Sequence, residues 1–328
     1  MQNELKKLSI DLYNNKNLMF NDISGDQAMR NMIADAMGQE TTGAIDYYAW
    51  EENKNKVFQI LSVAIDAVLP TILTNELDSL ADVRSVAIGD KPKFDIEDSS
   101  LLRVGLVASG TQDLQRQQLM GHSFSVTTDW YGAKVYAEFE RFLAGEINWK
   151  TYIDRVAMSF NNKMQHQIYD AFTQSYDALR ATRKVAGAYD EEKLTDLAEV
   201  ISVSAGGKPV AVYGTRSALR AVSKGADLSS NMKDEMNRVG YLGTVGGLDL
   251  IAIPQAFKAG TEEFALDNKS LLVLPQGEKI VSVVLEGQAI VTDKDPMTNN
   301  SLQKEFLTLK KYGLQVAQTS VYGMYNLA

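Results

Sequence analysis

The chain has 328 residues, 45% hydrophobic and 23% charged, enough for a folded protein of about two domains. Its 33 basic and 42 acidic residues leave a formal charge of -9, and no clustered cationic footprint of the kind that nucleic-acid binding requires stands out. There is no cysteine, so disulfides, thiolate metal sites and cysteine nucleophiles are excluded, and the composition fits a reducing compartment.

In chain order, the N-terminus "MQNELKKLSIDLYNNKN" is polar and lacks the apolar core of a signal peptide. Residues 1 to about 50 alternate short helical patterns with breaks such as "NNKN" and "NDISGDQ", which predicts an arm of small helices. A helix kinked at Pro70 is predicted from about Asn53 to Asp82. Its apolar run "VFQILSVAIDAVLPTIL" is broken by Gln59 and Asp66 and is too short to span a bilayer comfortably, so it reads as a buried helix. From Val83 to Trp130 the texture changes. "VRSVAIGDKPKFDI", "LLRVGLVA" and "HSFSVTTDW" have strand composition, with the polar "SGTQDLQRQQLMG" between them. A long β-ribbon of this kind is marginal alone in water and needs a surface to lie on.

"INWKTYIDRVAMSFNNKMQHQIYDAF" places Trp149, Ile153, Val156, Phe160, Met164, Ile168 and Phe172 on one helical face, a register that continues through Tyr176 and Leu179. A single helix from Ile147 to about Arg183 would run roughly 50 Å, with Arg180, Arg183 and Lys184 complementing its C-terminus. A short acidic helix and a glycine turn follow, and then a compact α/β alternation. "PVAVYGT", "LDLIAIPQAF", "SLLVLPQG" and "KIVSVVLEGQAIV" read as strands. "RSALRAVSKGA" and "SSNMKDEMNRVG" read as helices, the second capped by Ser229 or Ser230. The last 24 residues predict a pair of strands around Gly313.

No catalytic constellation emerges. His122 and His166 stand alone, without metal-ligand spacing around them. "SAGGKP" lacks the first glycine and the Ser or Thr of a phosphate loop, so it reads as a turn before a strand. "DKDPMTNN" has acids at calcium-loop spacing but neither the central glycine nor the closing Glu. It reads as a polar turn, with weak cation binding by Asp293 and Asp295 as the sharper reading. "AYDEEK" is the solvated start of a helix. No catalytic, cofactor-binding or metal residue is therefore assigned, and the chain is not read as an enzyme.

The order and sizes of the segments resemble the major capsid proteins of tailed bacteriophages, whose fold is shared with encapsulins and herpesvirus capsid floors. "IGDKPKFDI" through "INWKTYIDRVAMSFNNKMQHQIYDAF" carries one part of the resemblance. "GTVGGLDLIAIPQAF", "LLVLPQGEKIVSVVLEGQ" and "KKYGLQVAQTSVYGMYNL" carry the other. The resemblance covers roughly Val83 to Ala328. It implies an α+β fold with an N-terminal arm and helices (1–82), an extended β-ribbon loop (83–130) and a peripheral domain with a spine helix (131–200). An axial α/β domain (201–300) and C-terminal strands returning to the periphery (301–328) complete it. It implies self-association into hexamers and pentamers of an icosahedral shell, assembled in the host bacterial cytoplasm and resident in the virion. Scaffolding, portal and decoration proteins are the implied partners, with DNA only in non-specific proximity and no membrane. Some relatives cross-link a ribbon lysine to an asparagine. Lys91, Lys93 and Asn326 match no such motif, so no covalent mesh is expected. The alternatives are an encapsulin-like compartment shell, a tail or neck component, and an enzyme on an unrelated α/β fold.

Overall fold

The computed structural model describes residues 2–14, 25–39, 44–77, 80–96, 104–105, 116, 122–225, 230–255, 257–258, 261–264, 266–277, 279–295, 303–317 and 321–327. Its elements in order are α1 (Gln2–Tyr13), α2 (Gly25–Met37), α3 (Tyr47–Leu77), β1 (Ala81–Val86), β2 (Lys93–Ile96), β3 (His122–Ser125), β4 (Asp129–Glu138), α4 (Phe139–Leu143) and α5 (Trp149–Ser175). The second half contributes β5 (Lys184–Gly187), α6 (Glu191–Ser204), β6 (Val210–Thr215), α7 (Arg216–Gly225), α8 (Ser230–Val239), β7 (Thr244–Val245), β8 (Leu248–Ile253), β9 (Ser270–Pro275), β10 (Val281–Lys294), β11 (Gln303–Val316) and β12 (Gly323–Leu327).

The rod-like helix is α5. Asn148 caps it by accepting from the Thr151 amide at 3.0 Å, and all seven apolar residues of the predicted face are buried. It ends at Ser175, well short of Arg183, and spans about 40 Å. The Ser175 hydroxyl bonds back to the Phe172 carbonyl and accepts from Tyr322 at 2.7 Å. Arg180 is already extended, with ψ 148°. The basic cluster therefore lies beyond the helix, where Lys184 starts β5 and donates to the Asp177 carbonyl. Helix α3 begins at Tyr47 and ends at Leu77, against the expected Asn53–Asp82, and it continues through Pro70. It is apolar and long enough to cross a membrane by length and composition. Here it lies in the core, with Trp50, Val57, Leu61, Ala64, Ile65 and Leu69 fully covered.

Two sheets organise the rest. One has strand order β1-β10-β11-β4, with β1 parallel to β10 and the others antiparallel. Its inner face packs on α3 and α5. The other runs β5-β12-β9-β6-β8-β7. Ala211, Tyr213, Leu272, Leu274 and Met324 turn one of its faces to the α3/α5 core. Val210, Val212, Leu271, Val273 and Tyr325 turn the other to α6 and α7.

Several expectations need correction. Gly313 is no turn: β11 runs through it without a break, and the last two strands part, β11 joining the four-stranded sheet and β12 the six-stranded one. Strand β10, expected with the axial α/β part, also belongs to the four-stranded sheet, and α6, expected in the peripheral part, covers the six-stranded one. Residues 83–86 and 129–130, expected in the ribbon, are body strands. Of the ribbon itself, β2 and β3 form a two-stranded antiparallel sheet, and most of "LLRVGLVA" and "SGTQDLQRQQLMG" lies outside the described residues, as does Ser229.

Candidate assembly surface

Strand alternation decides which side chains of β11 point inward. Lys304, Phe306, Thr308, Lys310 and Tyr312 are buried, while Glu305, Leu307, Leu309 and Lys311 face the other side. Two lysines thereby enter the core, and each is met by acids, as a buried charge must be. Lys304 is fully covered; its ammonium bonds the Asp293 carboxylate and reaches Glu51 at 3.2 Å, with Lys54 bridging the same two acids. Lys310 lies 2.7 Å from both Asp66 and the Gly287 carbonyl. Asp66 also accepts from the Ala289 amide at 2.9 Å. This holds an irregularity in β10 where the register shifts between Glu286 and Ile290. Gly287 there has φ +65°, a backbone favourable only to glycine.

The outer face of the same sheet carries the base of the ribbon. Phe94 and Val126 bury themselves on Val284, with Phe124 stacked on Phe94. Arg84 covers the Phe94 ring at 4.2 Å. One carboxylate holds both limbs of the ribbon: Glu286 accepts from the Gly89 amide at 2.8 Å on the outgoing limb and from the Thr128 hydroxyl on the returning one, and pairs with Lys311 at 2.7 Å. The Lys311 hydrogen bond first, then those from Thr128 and Gly89, depress the Glu286 carboxyl to a pKa of about 2. The surface that the ribbon needs is thus supplied, at its base, by the sheet of its own chain.

Beyond that base the outer face is bare. Trp130, Tyr136 and Ile290 are 47%, 64% and 46% exposed, and pairing places them on the same face as Leu307 and Leu309. Among the described residues strand β4 pairs only with β11, which leaves a ten-residue edge open. Under that edge lies a cavity of about 410 Å³ between β4 and α5, lined by Ala133, Val135, Trp149, Tyr152, Val156 and Phe306 among others. Bare apolar face, open edge and groove adjoin one another, a combination that marks interaction surfaces rather than a finished exterior.

The residues weighed for chemistry fall elsewhere. Asp293 is engaged by Lys304 and Lys54, and Asp295 accepts from Tyr47 at 3.5 Å. His166 pairs with Asp170 one helical turn on; the His122 side chain lies outside the described residues. In "SAGGKP", Gly206 and Gly207 have φ +75° and +84° and Gly207 donates to the Ser202 carbonyl, which closes α6 in a turn before strand β6. Asp190 caps α6 through the Glu192 amide. Lys93 is in the ribbon base, and Asn326 in β12 accepts from Ser270 at 3.0 Å. Among the described residues no group of three or more His, Asp or Glu is placed to hold a metal. The inward Lys304 and Lys310 were not singled out by sequence reasoning. Both stand in phase with Phe306 and Tyr312, but Leu307 and Leu309 on the opposite phase mask that signal.

Residues 4–324 match the family described as "SPbeta prophage-derived putative capsid protein YonB". The chain belongs to this capsid family. No curated protein matches its sequence. Among solved structures, this YonB-family chain is similar to a chain of the native GTA particle capsid, at 12% identity and TM-score 0.55 over 78% of this chain and 90% of that one. It is also similar to a chain of the bacteriophage PhiM1 mature capsid (12%, 0.50, 77% and 86%) and one of Microbacterium phage Oxtober96 (10%, 0.50, 77% and 90%). At these identities the likeness is one of fold. The expected α+β capsid fold is the one this chain has, and its role is that of a major capsid protein.

Proposed function

We propose that this YonB-family protein self-associates into hexamers and pentamers that close an icosahedral head shell around phage DNA, assembled in the host bacterial cytoplasm and without catalysis of its own. Residues 87–128 act as the extended loop and α5 as the spine of the peripheral part. The sheet around β6 and β9 forms the axial part. The N-terminal helices α1–α3 form the arm, with α2 and α3 packed on the spine.

One observation carries this reading: the four-stranded sheet covers half of its outer face with its own ribbon base and leaves Trp130, Tyr136 and Ile290 bare beside the open β4 edge. In a closed symmetric assembly, each copy's bare half is covered by an identical neighbour, and stability lacking in one subunit is supplied by the contact. The cavity between β4 and α5 is the seat for a neighbour's apolar side chain. Tyr136→Asp tests this. The variant should unfold within about 0.5 kcal/mol of wild type, as exposed-site changes do, and should fail to form capsomers in negative-stain images. Intact particles from the variant would contradict the reading.

A further inference from the structure

Two charged stripes lie on the helices covering the outer face of the six-stranded sheet. On α7, Arg216, Arg220 and Lys224 follow one another at four-residue steps and are all exposed, with no acid anywhere in the helix. On α6, Glu192, Asp196 and Glu199 form a matching exposed row, continued by Val203, which is 72% exposed. Steps of three and four keep each row on one helical face. None of the six charged residues makes an ion pair among the described residues, although Lys193 pairs with Asp190 at the start of α6. The helices are centred on different parts of the sheet: α6 packs chiefly on β9 and β12 and α7 chiefly on β6 and β8, and both reach the shared strands β6 and β9. The two stripes thus present opposite charge from separate places on one surface, in a chain that is otherwise acidic.

We propose that the α6 stripe of one copy docks on the α7 stripe of the next, so that the six-stranded sheets of neighbouring subunits are joined by electrostatic complementarity. This rests on the self-assembly proposed above and names the contact that sets subunit order. Three opposed pairs in a row that ends at Val203 give such an interface register and orientation, and like-charged misalignments are penalised. The charge row on α7 also has the sign to hold nucleic-acid phosphate. The acidic α6 stripe on the same surface opposes that, and favours a protein partner bearing both signs.

The test uses the full-length protein and begins with wild type. Assembly is followed by light scattering and negative stain across protein and salt concentrations. Two triple variants, R216E/R220E/K224E and E192K/D196K/E199K, are compared with the sextuple variant carrying both. Each triple variant should keep the wild-type circular dichroism and raise the protein concentration needed for assembly about tenfold or more. The sextuple variant restores the pairing with signs exchanged, and should return to within about threefold of wild type. Wild-type assembly through this contact should weaken as salt rises, because exposed pairs are screened. Triple variants that assemble like wild type, or a sextuple variant no better than the triples, would overturn the contact while leaving the shell reading intact. Lost DNA retention with normal assembly in R216E/R220E/K224E would overturn it in favour of phosphate binding. A wild type that never assembles would overturn both.

Discussion

Gly313→Ala tests whether the ribbon base is seated on its own sheet. Gly313 lies opposite Val284 on the outer face of β11. A Cβ there would stand 2.8 Å from the Thr127 carbonyl carbon, closer still to its oxygen, and 3.0 Å from Val126 Cγ1. Its φ is not in the left-handed region, so alanine meets the neighbour and not its own backbone. Ordinary contact begins at 3.4 Å, so the returning limb must back away by about 1.4 Å to clear the Thr127 oxygen, at a cost of roughly 1–3 kcal/mol for an overpacked site. The ceiling is full release of the base, which exposes Phe94, Phe124 and Val126 for about 6 kcal/mol. At about 2 °C per kcal/mol in a chain of this size, Tm should fall by roughly 2–6 °C in differential scanning fluorimetry. Limited proteolysis should accelerate between residues 87 and 128. Gly132→Ala is the matched control: its Cβ would meet only the end of the Leu309 side chain at 2.7 Å, and rotation of that side chain limits the loss to about 1 kcal/mol. A Gly313→Ala protein with wild-type Tm and cleavage would refute the seat.

Other outcomes follow from the same anchors. The Glu286 carboxyl is depressed to about 2 from an ordinary 4.5, so its stabilisation is present above pH 4.5 and is lost as pH falls from there to 2. Glu286→Gln should therefore flatten the decline of Tm between pH 5 and 3, and should cost about 1–2 kcal/mol at pH 7 through the lost charge-assisted bond to Lys311. Lys304→Met leaves the 4%-exposed Asp293 with the more distant Lys54, and should lower stability by about 2–4 kcal/mol in urea titration. Restoring part of that loss with Asp293→Leu in the same chain would confirm the unpaired acid as the cause.

What the sequence made legible was what local periodicity encodes. The seven apolar residues of α5 recur at helical steps and are buried as expected, and the unbroken apolar runs of β6 and β9 are buried on both faces. What it hid was set by partners distant in sequence. Helix α5 ends at Ser175, whose hydroxyl accepts from Tyr322, 147 positions on. Gly313 reads as a turn locally, yet it is glycine so that Thr127 can cross over it. Lys304 and Lys310 look like solvent positions until Asp293 and Asp66 arrive from other elements. The bare half of the outer face was invisible for the same reason: Leu307 and Leu309 suggest a core-facing side, whereas the inward side reads Lys-Phe-Thr-Lys-Tyr.

The account stands or falls on whether the subunit is completed by its own copies. Analytical ultracentrifugation of the purified full-length chain, with negative-stain imaging of each peak, measures this directly. Capsomer-sized rings and closed particles that grow with protein concentration are the predicted result. One monomeric boundary at every concentration would contradict it.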